Sequence, residues 1–169
     1  SSIREWHKMG HPVPVYFTVS ELQNAADVFP IEFGQMTKAH KVLFGKDVLD
    51  GLKISDEFLR HQTEYELRSK LILLRRQYIP ASASVDGLRT LMVESLASFS
   101  ALFGAALIMN GLEPPVTKQE VVTMAAETLN LDGTVFEKIF DLRDDKSAKV
   151  VGDVEANELF AAYMEQIEK

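Results

Sequence analysis

At 169 residues the chain is long enough for one domain with a sizeable core, and 46% hydrophobic with 25% charged residues is a globular composition. A formal charge of −7 excludes bulk electrostatic attraction to nucleic acid or an anionic membrane; either would need a local basic patch. The absence of cysteine removes disulfides, thiolate metal sites and a cysteine nucleophile, and fits a cytoplasmic protein.

The first six residues, Ser1 to Trp6, lack the apolar run of a secretory signal. The absence of Met at the first position is expected equally of a piece of a longer chain, a tag remnant or a processed start. Ser1 to Met9 reads as the tail of a helix stopped by Gly10, Pro12 and Pro14. Val13 to Thr18 is rich in β-branched and aromatic residues and reads as a strand, with Pro14 placing it at an edge. Ser20 then caps a short helix through Asp27, and Phe29 to Phe33 reads as a second strand. Residues 1–50 are thus expected to be a short α/β remnant with two short strands, too little to form a stable sheet alone. On the second strand Glu32 alternates with Ile31 and Phe33 and points away from their face. It is either an exposed carboxylate or a general-base or metal-binding one. No second acid stands at the next position on its face, where Gly34 lies.

From Ser55 the period becomes helical. Asp56 and Glu57 occupy the first turn, where the helix dipole favours anions, and Pro80 ends the run. Phe58, Tyr65, Ile72 and Ile79, joined by Leu67, Leu71, Leu74 and Tyr78, read as a core-facing stripe. A linker from Pro80 to Ser84 leads to a second long helix from about Asp86 to Met109, stopped by Asn110-Gly111. Ser95 to Leu112 contains no charge and is long enough to weigh as a membrane span. Its serines, Asn110 and two glycines favour instead a central helix buried all round. Three shorter helices complete the chain. Thr117 to Glu120 is a capping box opening the first, and Asp132-Gly133-Thr134 turns into the second. The polar run Arg143 to Lys149 reads as a loop before the last, from about Asp153 to Lys169. The expected fold is mainly α: a bundle of about five helices over 51–169 behind the 1–50 remnant.

The sequence has no Gly-rich phosphate loop, no H-E-x-x-H, no G-x-S-x-G and no calcium loop. Asp141, Asp144 and Asp145 lack the alternating spacing and central glycine of a calcium site and read as a solvated loop. His7 and His11 have metal-ligand spacing on a helix, but Gly10 and Pro12 end that helix between them. A metal-dependent hydrolase built on His7, His11 and His61 is therefore a weak third reading. The segment from Arg60 to Arg76 pairs Glu64 with Arg68 and Glu66 with Lys70 at i, i+4, with Arg75 two turns beyond Arg68. These are either ordinary surface ion pairs or a polar strip able to hold phosphate or a carboxylate through guanidinium forks.

Two stretches carry a resemblance. Ala26-Asp27-Val28-Phe29-Pro30-Ile31-Glu32-Phe33, followed by His40-Lys41-Val42-Leu43-Phe44-Gly45-Lys46-Asp47, precedes Glu66-Leu67-Arg68-Ser69-Lys70-Leu71-Ile72-Leu73-Leu74-Arg75. In this order and spacing, with Trp6, Gly10, Pro12 and Pro14 upstream, they resemble the C-terminal portion of bacterial nucleotidyltransferase-like proteins of the polymerase-β-like superfamily. The resemblance spans Trp6 to Tyr78 and is architectural beyond. It implies a helical, substrate-binding-type domain that walls the acceptor side of a site where a Gly-Ser pair and an Asp-x-Asp hold Mg²⁺ and nucleotide. Neither of those motifs occurs in this sequence, so the chain is not expected to transfer a nucleotide alone and holds no cofactor of its own. The resemblance makes Glu32 a catalytic candidate and Glu66, Arg68, Lys70 and Arg75 substrate-binding candidates, and implies a nucleotide or small-molecule acceptor. The alternative is a non-enzymatic helical interaction module, adaptor or antitoxin-like, with a homo-oligomer or protein partner.

Overall fold

The computed structural model describes residues 2–144 and 152–169, and all the regular structure among them is helical. The elements are α1 (Ser2–Lys8), α2 (Val19–Asn24), α3 (Pro30–Lys38), α4 (Asp56–Ala81), α5 (Val85–Met109), α6 (Lys118–Thr128), α7 (Gly133–Asp144) and α8 (Asp153–Glu168). The five helices α4 to α8 lie where the periodicity predicts them. The expected loop over 143–149 falls partly outside the described residues, and Arg143 and Asp144 belong to the end of α7.

Both expected strands are corrected. Residues 13–17 form no ladder with any described segment, and Val13, Val15 and Tyr16 stand in solvent. Phe29 to Phe33 is the start of a helix: Pro30 sits at its first position, where a missing N–H costs nothing and the fixed φ is already helical. The alternation of apolar residues over Phe29, Ile31 and Phe33 has another cause. Residues two apart on a helix point about 200° apart. Ile31 accordingly joins the main core while Phe33 joins a second, smaller one with Leu22, Ala26 and Leu49. The α3 helix is the seam between the two. The cap of α2 is Thr18 rather than Ser20: its hydroxyl accepts from Glu21 N while the Glu21 carboxylate accepts from Thr18 N at 2.6 Å.

The main core is organised around α5, which packs against α4, α6, α7, α8 and α3. It is the one helix among the described residues that is long and apolar enough to cross a membrane. Met92, Leu96, Phe99, Ala105 and Leu107 are all buried within the bundle, the arrangement of a central core helix. Ser84 caps its start by accepting from Gly87 N, and Gly111, at φ 74°, lets Leu112 N–H return to Leu107 O at its end. Polar ties fix the neighbours. Arg89 Nε donates to Leu142 O at the end of α7, 2.9 Å away. Tyr163 is fully buried, donates to Ser95 Oγ and has its ionisation pushed well up by burial. Tyr78 stacks on Phe160 and donates to Asn157 Oδ1 at 2.7 Å, joining the end of α4 to α8.

Candidate functional site

The residues singled out by sequence gather around α3 and α4. The first turn of α3 has no side-chain cap of its own, because Phe29 stands at the capping position. Gln62 of α4 supplies one: its Oε1 accepts from Ile31 N at 3.5 Å while its Nε2 donates to Glu32 Oε2 at 3.3 Å. Glu32 is thus an exposed helix-start carboxylate, favoured there by the dipole, not a strand residue. Its contact with Gln62 ties the first resembling stretch to α4, one turn before the second begins at Glu66.

Along α4 the candidates divide. Residues two apart face nearly opposite ways on a helix, so Glu66 and Lys70 lie on one side while Arg68 and Arg75 lie on the other. Lys70 meets Glu66 at 3.5 Å, Arg68 meets Glu64 at 2.9 Å, and Arg75 reaches Glu168 of α8 at 2.8 Å. The Arg68 guanidinium holds the Glu64 carboxyl below its ordinary value, chiefly through the hydrogen bond. Lys70, Arg75 and Arg76 fall in the second half of α4, where no acid occurs, while Asp56, Glu57, Glu64 and Glu66 fall in the first with Arg60 and Arg68. Any anion-binding surface on α4 would rest on Arg68 and Arg75, which share a side and each have an acidic partner.

The stripe Phe58, Tyr65, Ile72 and Ile79, expected to face the core, faces solvent instead, at 46%, 66%, 58% and 74% exposure. The core-facing side of α4 is Leu59, Thr63, Leu67, Leu71, Leu74 and Tyr78. Both sets repeat with a helical period, so periodicity alone does not say which is inward; the wider set, three to four residues per two turns, wins.

The loop between α3 and α4 holds a contact that the resemblance over His40 to Asp47 did not single out. His40 Nε2 donates to Asp47 Oδ2 at 2.9 Å, and Asp47 Oδ1 accepts from Leu49 N at 3.0 Å. The pair closes a turn through Gly45, at φ 83°, whose tip presents Leu43 and Phe44 almost wholly to solvent. A histidine and an aspartate seven residues apart around a glycine were the available signal. His7 lies in the last turn of α1, and His11 lies beyond the helix, its ring tilted against Trp6 with centroids 4.3 Å apart, so the two do not share a helical face. Among the described residues no three His, Asp or Glu side chains gather into a metal-holding group. Asp145 of the acidic cluster lies outside the described residues.

No protein-family model matches the chain, and no characterised protein and no solved structure is significantly similar to it.

Proposed function

We propose that the chain is a helical, substrate-binding-type domain of a nucleotidyltransferase-like protein, not catalytic alone. The observation that carries the reading is the contact between α3 and α4: Gln62 of α4 holds Ile31 and Glu32 of the first resembling stretch, one turn before the second begins at Glu66 on the helix that bears Arg68 and Arg75. Phosphoryl transfer develops charge on phosphate oxygens, and a wall beside it has a use for guanidinium forks. The ion pairs of Arg68, Lys70 and Arg75 are partly solvated, and such pairs contribute little. A phosphate can therefore displace Glu64, Glu66 or Glu168 at small cost. The group holding Mg²⁺ would be a Gly-Ser and Asp-x-Asp unit outside this sequence. Calorimetric titration of ATP with Mg²⁺ into the natural protein is expected to give binding that weakens with salt and drops at least about tenfold in Arg68→Ala/Arg75→Ala. Heat of dilution only, up to millimolar ligand, overturns the reading.

A second reading, a non-enzymatic helical interaction module, is favoured by a separate observation: the outward stripe of α4 and the apolar tip at Leu43 and Phe44. Contiguous exposed apolar surface marks contact sites. Binding of an apolar dye is expected to fall in Tyr65→Glu/Ile72→Glu, and unchanged dye binding removes this reading.

A further inference from the structure

The α4 helix is apolar on two opposite sides, one more than its own bundle uses. The inner side carries Leu59, Leu67, Leu74 and Tyr78 into the main core. On the outer side Phe58, Tyr65, Ile72 and Ile79 recur every seven residues, and each is at least 46% exposed. A seven-residue step on a helix drifts only about 20°, so the four form one continuous stripe about 32 Å long. A helix covering only its own core carries polar residues there. A straight apolar row of this length suits another helix laid along it, although the i+3 positions that would complete a coiled-coil seam, His61, Arg68 and Arg75, are polar.

Charge says which helix. Asp56, Glu57, Glu64 and Glu66 outweigh Arg60 and Arg68 in the first half of α4, while Lys70, Arg75 and Arg76 make the second half basic without a single acid. A uniformly acidic partner matches only the second half, and a uniformly basic one only the first. A parallel copy sets acid on acid at one end and base on base at the other. An antiparallel copy matches along both halves, with the two Arg68 side chains meeting as like charges beside the axis. With a two-fold axis between residues 68 and 69, Phe58 of each copy faces Ile79 of the other, and Tyr65 faces Ile72. Each acidic half lies along a basic one. The same patch serves both copies, as closed two-fold symmetry requires.

We infer that two copies of this chain pair through the outer faces of their α4 helices, packed antiparallel. The inference rests on reading that face as a contact surface and holds with or without nucleotide binding. A seam one helix wide lies at the small end of stable interfaces, so the dimer is expected to dissociate in the micromolar range.

Sedimentation equilibrium of the chain from micromolar to submillimolar concentration tests this, alongside Tyr65→Glu/Ile72→Glu. The expected result is a dimer whose dissociation constant rises at least about thirtyfold in the variant, while the variant's helical content and melting temperature match the parent. A parent that stays monomeric beside a stably folded variant overturns self-pairing and leaves the face for another protein. A variant that unfolds assigns the stripe to the chain's own core and removes both the pairing and the contact-surface reading. Orientation is read by cross-linking, which the absence of native cysteine makes clean. Phe58→Cys and Ile79→Cys are expected to form a disulfide with each other when mixed and not alone. A Phe58→Cys dimer linked to itself contradicts the antiparallel order.

Discussion

His40 and Asp47 show how a single contact shapes the segment leading into α4. The hydrogen bond between them raises the His40 pKa above its ordinary 6.5 and lowers that of Asp47 below its ordinary 3.8. A raised histidine contributes stability that is complete below 6.5 and lost as pH rises through its folded value. A lowered aspartate contributes stability present above 3.8 and lost as pH falls through its depressed value. The loop is therefore tightest between those limits. Proton NMR titration is expected to put the His40 midpoint above 6.5, and Asp47→Asn to bring it back down; an unshifted His40 in the parent contradicts the pairing. Gly87 gives a second test at this scale. A methyl there would stand 2.6 Å from the Ala81 carbonyl oxygen, which belongs to the backbone and cannot swing away. Intrinsic propensity favours alanine over glycine inside a helix by about 1 kcal/mol. Gly87→Ala is nevertheless expected to destabilise by roughly 1–3 kcal/mol in urea denaturation, as overpacking does; a stabilised variant refutes the close α4–α5 turn.

Helices long enough to repeat their pattern were legible in the residues, and the short α1 and α2 could be read from their start and stop signals, but α3 could not. Thr117 opens α6, its hydroxyl accepting from Glu120 N, although the Glu120 carboxylate accepts from that hydroxyl rather than from Thr117 N as a full capping box would have it, and Asn110-Gly111 ends α5. Phe29 to Phe33 misled because five residues do not separate a period of 2 from one of 3.6, and the buried partners of Ile31 and Phe33 are two different cores. In α4 the pattern was clear but its direction was not, since Phe58, Tyr65, Ile72 and Ile79 repeat as cleanly as the inward set. Loss of a cap tests the element scale. Ser84→Ala removes the acceptor of Gly87 N at 3.0 Å and is expected to cost about 1 kcal/mol. Equal stability would mean that the α5 start is held by packing alone.

For the whole molecule, the helical bundle follows from composition and period, because each of α4 to α8 has an apolar side that only the others can cover. The candidate site was legible only in pieces. Glu66, Arg68, Lys70 and Arg75 could be picked out, but not that Glu66 and Lys70 turn one way and Arg68 and Arg75 the other. Nor could Gln62 be recognised as the link between α3 and α4, since nothing local marks a glutamine that caps a helix 31 residues earlier. Both functional readings and the pairing depend on one claim: α4 belongs to the bundle by one face and offers the other outward. Urea denaturation of Leu74→Ala beside Tyr65→Ser tests it most directly. The account predicts a loss of about 2–5 kcal/mol for Leu74, which is 1% exposed, and of no more than about 0.5 kcal/mol for Tyr65 in dilute protein. Comparable losses at the two positions would contradict it.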